Sequence, residues 1–116
     1  MEINIIGSGS IGATSMSAST LIDKKILIDV PNGVEKYIKK LGYNIQEIES
    51  ILITHLHADH FFDIPFLMLD RYFYKNNSLL SIYCPNMLFR HYSIYYFIKE
   101  FEKYEWWIDK WNICKY

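Results

Sequence analysis

Residues 51–60 read ILITHLHADH, and this stretch decides the fold of the chain. A short apolar run, residues 51–53, is followed by three of the four histidines in the sequence and by one aspartate. The spacing is His-x-His-x-Asp-His. Imidazole and carboxylate groups cost several kcal/mol to bury unless a partner satisfies them, and a divalent cation satisfies all four side chains at once. The pattern therefore predicts a buried strand that ends in a metal site.

The four polar side chains of this stretch divide into two pairs. His55 and His57 are two residues apart, so they face the same way in an extended chain and can bind one ion together. Asp59 and His60 lie where the chain turns towards a helix, and we expect them to reach a second ion. Imidazole and carboxylate ligands without thiolates favour Zn²⁺, with Mn or Fe as alternatives. The competing interpretation is a chance histidine cluster on a solvated loop, whereas His91, isolated in an aromatic segment, receives no role.

Length and composition limit the class of protein. A chain of 116 residues predicts one domain, residues 1–116. The 12 basic and 13 acidic residues do not indicate a strongly basic nucleic-acid groove. Two cysteines, Cys84 and Cys114, are too few for a disulfide framework and predict free thiols in a reducing compartment. The N-terminus lacks a basic signal region, and no apolar run approaches the roughly 18 residues of a membrane span. We expect a soluble, cytoplasmic protein without a membrane partner.

Hydrophobic periodicity predicts a layered α/β domain. The expected order is strand, strand, strand, helix, strand, helix, strand, helix. The predicted elements are residues 2–6, 19–22, 26–30, 34–41, 51–54, 64–74, 79–84 and 86–102, with the last helix extending to Trp111. Polar turns separate them, at residues 23–25 and 31–33 in particular.

Residues 54–60, THLHADH, resemble the signature of the metallo-β-lactamase superfamily. Three flanking segments resemble its ribonuclease Z-like branch: the opening strand with GSGS at 7–10, the strand that ends in Asp29, and the strand before Pro85. The resemblance covers about residues 1–90. It implies an αββα sandwich of which this sequence contains the N-terminal half only.

The resemblance implies a metal-dependent hydrolase, either a phosphodiesterase or a ribonuclease Z-like enzyme. A hydroxide held by one or two ions would attack a small ester, a phosphodiester or RNA. His55 and His57 would bind the first ion, and Asp59 and His60 the second. Asp59 would double as the catalytic proton acceptor.

Two further aspartates flank this site. Asp29 is expected to hold a ligand histidine or the motif loop in place, although capping of the turn at residues 32–33 is an equally good interpretation. The family usually has glycine where Asp63 stands. We predict that Asp63 caps the helix beginning near Ile64.

The remaining ligands of the family are not found in this sequence. The family supplies a third histidine, a bridging aspartate and a final histidine further along the chain, and only His91 follows His60 here. This predicts the N-terminal part of such an enzyme, or an inactive member that binds metal or a partner. Residues 92–116 are densely aromatic. They predict an apolar surface for the other half of the fold, for a second chain such as a homodimer partner, or for substrate.

A dinucleotide-binding interpretation competes with the metal site. Gly7-x-Gly9-x-x-Gly12 follows a strand, and Asp29 ends a later strand at about the spacing that this motif expects. The motif also needs a helix that opens at its last glycine. Residues 13–20, ATSMSAST, have no apolar stripe and form a poor helix, so nucleotide binding is the weaker alternative.

Overall fold

The computed structural model of the chain describes residues 1–85 and the backbone of residues 111–115. Within these ranges, six strands form one sheet in sequence order. The strands are β1 (Ile3–Gly7), β2 (Ser19–Ile22), β3 (Ile26–Ile28), β4 (Ser50–Leu52), β5 (Leu80–Cys84) and β6 (Trp111–Lys115). The helices are α1 (Val34–Lys40), α2 (Ala58–Phe61) and α3 (Ile64–Phe73), with a 3-10 turn at Ile45–Glu47. This alternation confirms the predicted layers.

The first three strands form an antiparallel meander. Residues 23–25 connect β2 to β3, and Asp23 and Lys24 have φ angles of 50° and 59°. Two consecutive residues with positive φ are typical of the type I′ turn, whose twist matches that of the flanking strands. The amide of Lys25 donates to the carbonyl of Ile22 at 2.9 Å and closes this turn. The predicted polar turn is therefore confirmed.

Strands β3 to β6 are parallel. The carboxyl ends of parallel strands meet at one edge of a sheet, and the loops that follow them become neighbours there. The loop after β3 begins with Asp29, and the loop after β4 contains the histidine motif. The parallel pairing of β3 with β4 is what brings these two segments together.

The helices cover one face of the sheet. The register aligns Leu21 with Leu27, Leu27 with Ile51, and Ile51 with Ile82, and none of these four side chains has exposed surface. Residues of the helices complete this core, namely Val34, Ile38, Phe61, Ile64, Leu67 and Met68. The apolar run that opens the histidine motif is thus anchored at the centre of the core.

The opposite face of the sheet is open among the residues that the structure describes. Ile5, Leu52 and Tyr83 lie on this face and are 65%, 36% and 40% exposed. Parallel strands in proteins are normally covered on both faces. The structure therefore contains one helix layer and one sheet of a four-layered sandwich, as expected for half of the αββα fold.

Three predicted elements differ from the structure, and the first is the strand expected over residues 51–54, which ends at Leu52. The strand expected over residues 26–30 ends at Ile28, because Asp29 adopts a left-handed φ of 60° that turns the chain out of the sheet. The helix expected over residues 86–102 lies outside the described residues. Its predicted extension to Trp111 is wrong, since Trp111 begins β6 and pairs with Leu80 of β5. Within the described ranges, no helix has the length and apolar character that a bilayer crossing requires.

Candidate metal centre

The histidines follow β4 on an extended segment that leads into α2. His57 has φ −76° and ψ 141°, and α2 begins at the next residue. Both histidines are exposed, and in this extended segment His55 Nε2 and His57 Nδ1 lie 3.2 Å apart. Two imidazole nitrogens bound to one tetrahedral Zn²⁺ at about 2.0–2.1 Å would stand about 3.3 Å apart. The spacing of these two nitrogens therefore fits a shared cation.

The second pair of side chains comes from the first turn of α2. Asp59 Oδ2 lies 3.8 Å from His60 Nε2. The ring of His60 packs against that of His55, with centroids 3.9 Å apart. The four side chains form one cluster, but the described part of the chain contains no group of three or more ligands around a single point. The donor types suit a divalent cation, and a closed coordination shell would need more ligands than these pairs provide.

Asp29 lies beneath the cluster, at the end of β3, and is only 5% exposed. Its Oδ1 accepts a hydrogen bond from the amide of Thr54 at 2.8 Å. Its Oδ2 contacts the hydroxyl of Thr54 at 2.7 Å and Nδ1 of His60 at 2.8 Å. Both oxygens are thus bonded to the segment of residues 54–63, called the motif segment below, and not to the turn at residues 32–33. A carboxylate can only accept, so His60 carries its proton on Nδ1 and turns the lone pair of Nε2 towards Asp59.

Asp63 faces the other way, from the motif segment to the start of α1. Its carboxylate accepts from the amide of Gly33 at 3.0 Å and from the amide of Glu35 at 2.7 Å. The prediction that Asp63 caps α3 is wrong, since its side chain makes no cap bond there. Gly33 precedes α1 with φ 84° and has no side chain to cap that helix, which leaves the first amides open to a distant acceptor.

Backbone hydrogen bonds hold the same two segments together. The amide of Val30 donates to the carbonyl of His60 at 2.7 Å, and the amide of Asp63 donates to the carbonyl of Val30 at 3.0 Å. Burial raises the pKa of the Asp63 carboxyl, and its two amide donors act in the opposite direction. The motif segment and the β3–α1 connection therefore form one unit.

A groove of about 480 Å³ opens beside Asp59. One wall is the loop 11–17, which includes Thr14, Ser15 and Ser17, and Phe62 also lines the groove. Neither lysine nor arginine lines this groove among the described residues. Sequence reasoning did not assign this wall, and its only signal is the run of small hydroxyl residues after the glycines.

The loop 11–17 folds back on the end of β1. The amide of Gly9 donates to the carbonyl of Met16 at 2.8 Å, and the amide of Ala18 donates to the carbonyl of Gly9 at 3.1 Å. A Cβ atom on Gly9 would lie 2.8 Å from the carbonyl oxygen of Ser15, closer than such contacts allow. Glycine is therefore needed for this backbone approach. Dinucleotide binding requires a helix that begins at the last glycine of the motif. The element that follows Gly12 is the strand β2, so this requirement is not met.

Solved structures share this architecture. The short form of human tRNase Z superimposes with a TM-score of 0.76 over 99% of this chain and 45% of that chain, at 22% identity. The metallo-β-lactamase fold protein YhfI from Bacillus subtilis superimposes with a TM-score of 0.65 over 98% and 44%, at 20% identity. The chain thus has the metallo-β-lactamase fold, with the histidine motif at the strand ends.

Sequence comparison identifies the family within this fold. The profile described as "Anti-Pycsar protein Apyc1" matches residues 1–92, and the chain belongs to that family. Ribonuclease Z of Listeria welshimeri is 31% identical over 93 residues, which are 73% of this chain and 30% of that protein. Anti-Pycsar protein Apyc1 of Bacillus phage 010DV004 is 30% identical over 93 residues, 76% and 36% respectively. The predicted ribonuclease Z-like branch is therefore confirmed, and the chain spans about a third of the length of these relatives.

Proposed function

We propose that this chain carries the first half of the metal centre of a metal-dependent phosphodiesterase. One observation carries the proposal: His55 Nε2 and His57 Nδ1 converge at 3.2 Å, the spacing of two nitrogens on one cation. These two histidines would hold one divalent ion. Asp59 and His60 would contribute to a second. Zn²⁺ suits the donors best, with Mn or Fe as alternatives.

The proposed reaction is hydrolysis of a phosphodiester or a related ester, with RNA among the candidate substrates. When bound, the cation would lower the pKa of water to about 7 and polarise the phosphoryl oxygen. Asp59 lies at the edge of the groove, and its side chain is 14% exposed. It would accept a proton at Oδ2 from the attacking water. The hydroxyls of Thr14, Ser15 and Ser17 would orient the substrate.

The ribonuclease Z relatives support this class of reaction, and the whole protein's activity is part of the proposal. A working centre would need ligands beyond the two pairs described above. A single domain over residues 1–116 and a cytoplasmic location belong to the same proposal. So does a homodimer or partner contact through the aromatic residues after 92, most of which lie outside the described residues.

The pairing of the ligands also supports a second function, which is binding without catalysis. In the described part of the chain, no three side chains surround one point. A site of two ligands binds a cation weakly, and this arrangement favours a catalytically inactive member that binds metal or a protein partner. The matching Apyc1 family is compatible with this alternative.

Metal analysis combined with an assay separates the two functions. Stoichiometric Zn²⁺ binding together with hydrolysis of bis(p-nitrophenyl) phosphate would support the phosphodiesterase and exclude the binding module. Zinc binding without turnover would favour the binding module. Absence of both would refute the metal centre.

The matched variants are His57→Ala, which removes one nitrogen of the converging pair, and His91→Ala, which removes a histidine outside the motif. We expect His57→Ala to lose zinc and turnover and to keep its circular dichroism spectrum, because the ring lies outside the core. His91→Ala should resemble the wild type. Full zinc occupancy in His57→Ala would contradict the assignment.

A further inference from the structure

Thr54 is a polar residue of the motif and has no role in the proposed reaction. Its hydroxyl lies between two groups of the site. Oγ1 is 2.7 Å from Asp29 Oδ2 and 3.0 Å from Nδ1 of His55. Its backbone amide donates separately to Asp29 Oδ1 at 2.8 Å. The side chain is therefore not needed to fix the backbone, and its hydroxyl is available for another task.

The direction of these hydrogen bonds follows from what each group can donate. A carboxylate can only accept, whereas a hydroxyl has one proton and two lone pairs. The proton of Thr54 therefore goes to Asp29. Oγ1 is then left as an acceptor for His55, which must carry its own proton on Nδ1. Nε2 of His55 becomes the unprotonated nitrogen.

This choice of tautomer matters because of where Nε2 lies. It is the atom that faces Nδ1 of His57 at 3.2 Å. A proton on Nε2 would point into the space where a cation would have to sit. We propose that Thr54 is a positioning residue that extends the influence of Asp29 to His55 and selects the metal-binding tautomer. The inference rests on the proposed metal centre.

One buried carboxylate would then orient two histidines by different routes. Asp29 contacts His60 directly at 2.8 Å and reaches His55 through the hydroxyl of Thr54. Metal-binding histidines are typically fixed in this way, by a partner on the nitrogen that does not bind the metal. The direct route serves as an internal control, because removal of the hydroxyl interrupts only the relayed route.

The test uses Thr54→Val, which keeps the shape of the side chain and removes the hydroxyl, and Thr54→Ser, which restores the hydroxyl. The first measurement is the ¹⁵N chemical shifts of the imidazole rings in the metal-free full chain at alkaline pH, where imidazole is neutral. We expect His55 protonated on Nδ1 in the wild type and in Thr54→Ser, and shifted to the Nε2-protonated form in Thr54→Val. The tautomer of His60 should stay the same in all three.

The second measurement is Zn²⁺ affinity by competition with a chromophoric chelator. We expect Thr54→Val to bind about 10-fold more weakly and Thr54→Ser within about 2-fold of the wild type. An unchanged His55 tautomer in Thr54→Val, or equal loss in both variants, would overturn the proposal. If Thr54→Val does not fold, Thr54→Ala provides the same comparison. A chain that binds no zinc but shows the tautomer switch would refute the proposed function and leave standing only the control of the His55 tautomer by Thr54.

Discussion

Asp29 and Asp63 are both buried, 5% and 3% exposed, and each reaches into the segment that carries the other. Asp29 belongs to the β3–α1 connection and bonds to Thr54 and His60 of the motif segment. Asp63 belongs to the motif segment and bonds to two backbone amides at the start of α1. The two carboxylates hold the same pair of segments from opposite sides.

The difference lies in what they bind. Asp29 contacts side chains and so controls the orientation of groups that would bind a metal. Asp63 contacts only backbone amides and so controls the distance between two segments. Asp29 therefore orients side chains whereas Asp63 places the backbone, and three variants test this difference.

Asp29→Asn should have the largest effect on metal binding. Asparagine tolerates the left-handed φ of 60° at this position, so the backbone should stay in place. Its amide group has only one oxygen and cannot accept all three hydrogen bonds. We expect Zn²⁺ affinity to fall about 10- to 100-fold and the unsatisfied donor to lower the free energy of unfolding by about 1–3 kcal/mol. Unchanged affinity, measured by chelator competition, would remove Asp29 from the site.

Asp63→Ala should change stability more than metal binding. Two amides at the start of α1 would lose their acceptor, and loss of a helix cap costs about 1–2 kcal/mol. We expect that decrease in the free energy of unfolding, measured with urea, together with a smaller change in zinc affinity than in Asp29→Asn. A larger loss of zinc affinity than in Asp29→Asn would mean that Asp63 orients the ligands as well.

Lys39→Met should affect stability alone. The ammonium group of Lys39 pairs with Glu35 and Asp70, which are largely buried. Burial and the neighbouring Asp70 raise the pKa of Glu35, and Lys39 opposes this. Without Lys39 the pKa of Glu35 should rise further. A carboxyl whose folded pKa exceeds its unfolded value stabilises the fold at low pH and loses that stability as the pH rises.

The variant should therefore be destabilised more at pH 8 than at pH 5. Because the Lys39 side chain is 42% exposed, water screens its charge, and we expect a loss of about 1 kcal/mol at pH 8. Urea unfolding at both pH values checks this, with the wild type as control. The ion pairs of Lys39 with Glu35 and Asp70 do not contact the histidines of the motif. Zinc affinity should therefore not change. Equal destabilisation at both pH values would contradict the assigned role of the carboxyls.

Much of the fold is predictable because its elements are locally consistent. The run over residues 26–28 is apolar and bounded by turn residues, and the helix of residues 34–40 has regular apolar spacing. By contrast, β6 depends on pairing with β5, which no local pattern records. A short apolar segment such as Trp111–Lys115 suits a helix as well as a strand until its partner is known.

The site is predictable in its ligands but not in its supports. The spacing of His55 and His57 is enough to place both rings on one side of an extended chain. The role of Asp63 is not predictable from the sequence, because an aspartate before a helix usually caps that helix. The helix that Asp63 does cap is α1, and its bonded amide on Gly33 lies 30 residues away in the sequence. The groove wall formed by the loop 11–17 is also not predictable. It depends on the loop folding back against Gly9, and a glycine in the sequence does not reveal which segment will pack against it.

The left-handed backbone of Asp29 has an evolutionary consequence. At a φ of 60° most side chains are strained, and aspartate, asparagine and glycine are the residues tolerated best. Of these three, only aspartate can accept three hydrogen bonds as an anion. A substitution at this position must therefore tolerate the left-handed backbone and must also accept the three hydrogen bonds. Both requirements concern the backbone conformation and the bonds to Thr54 and His60, and neither depends on catalysis.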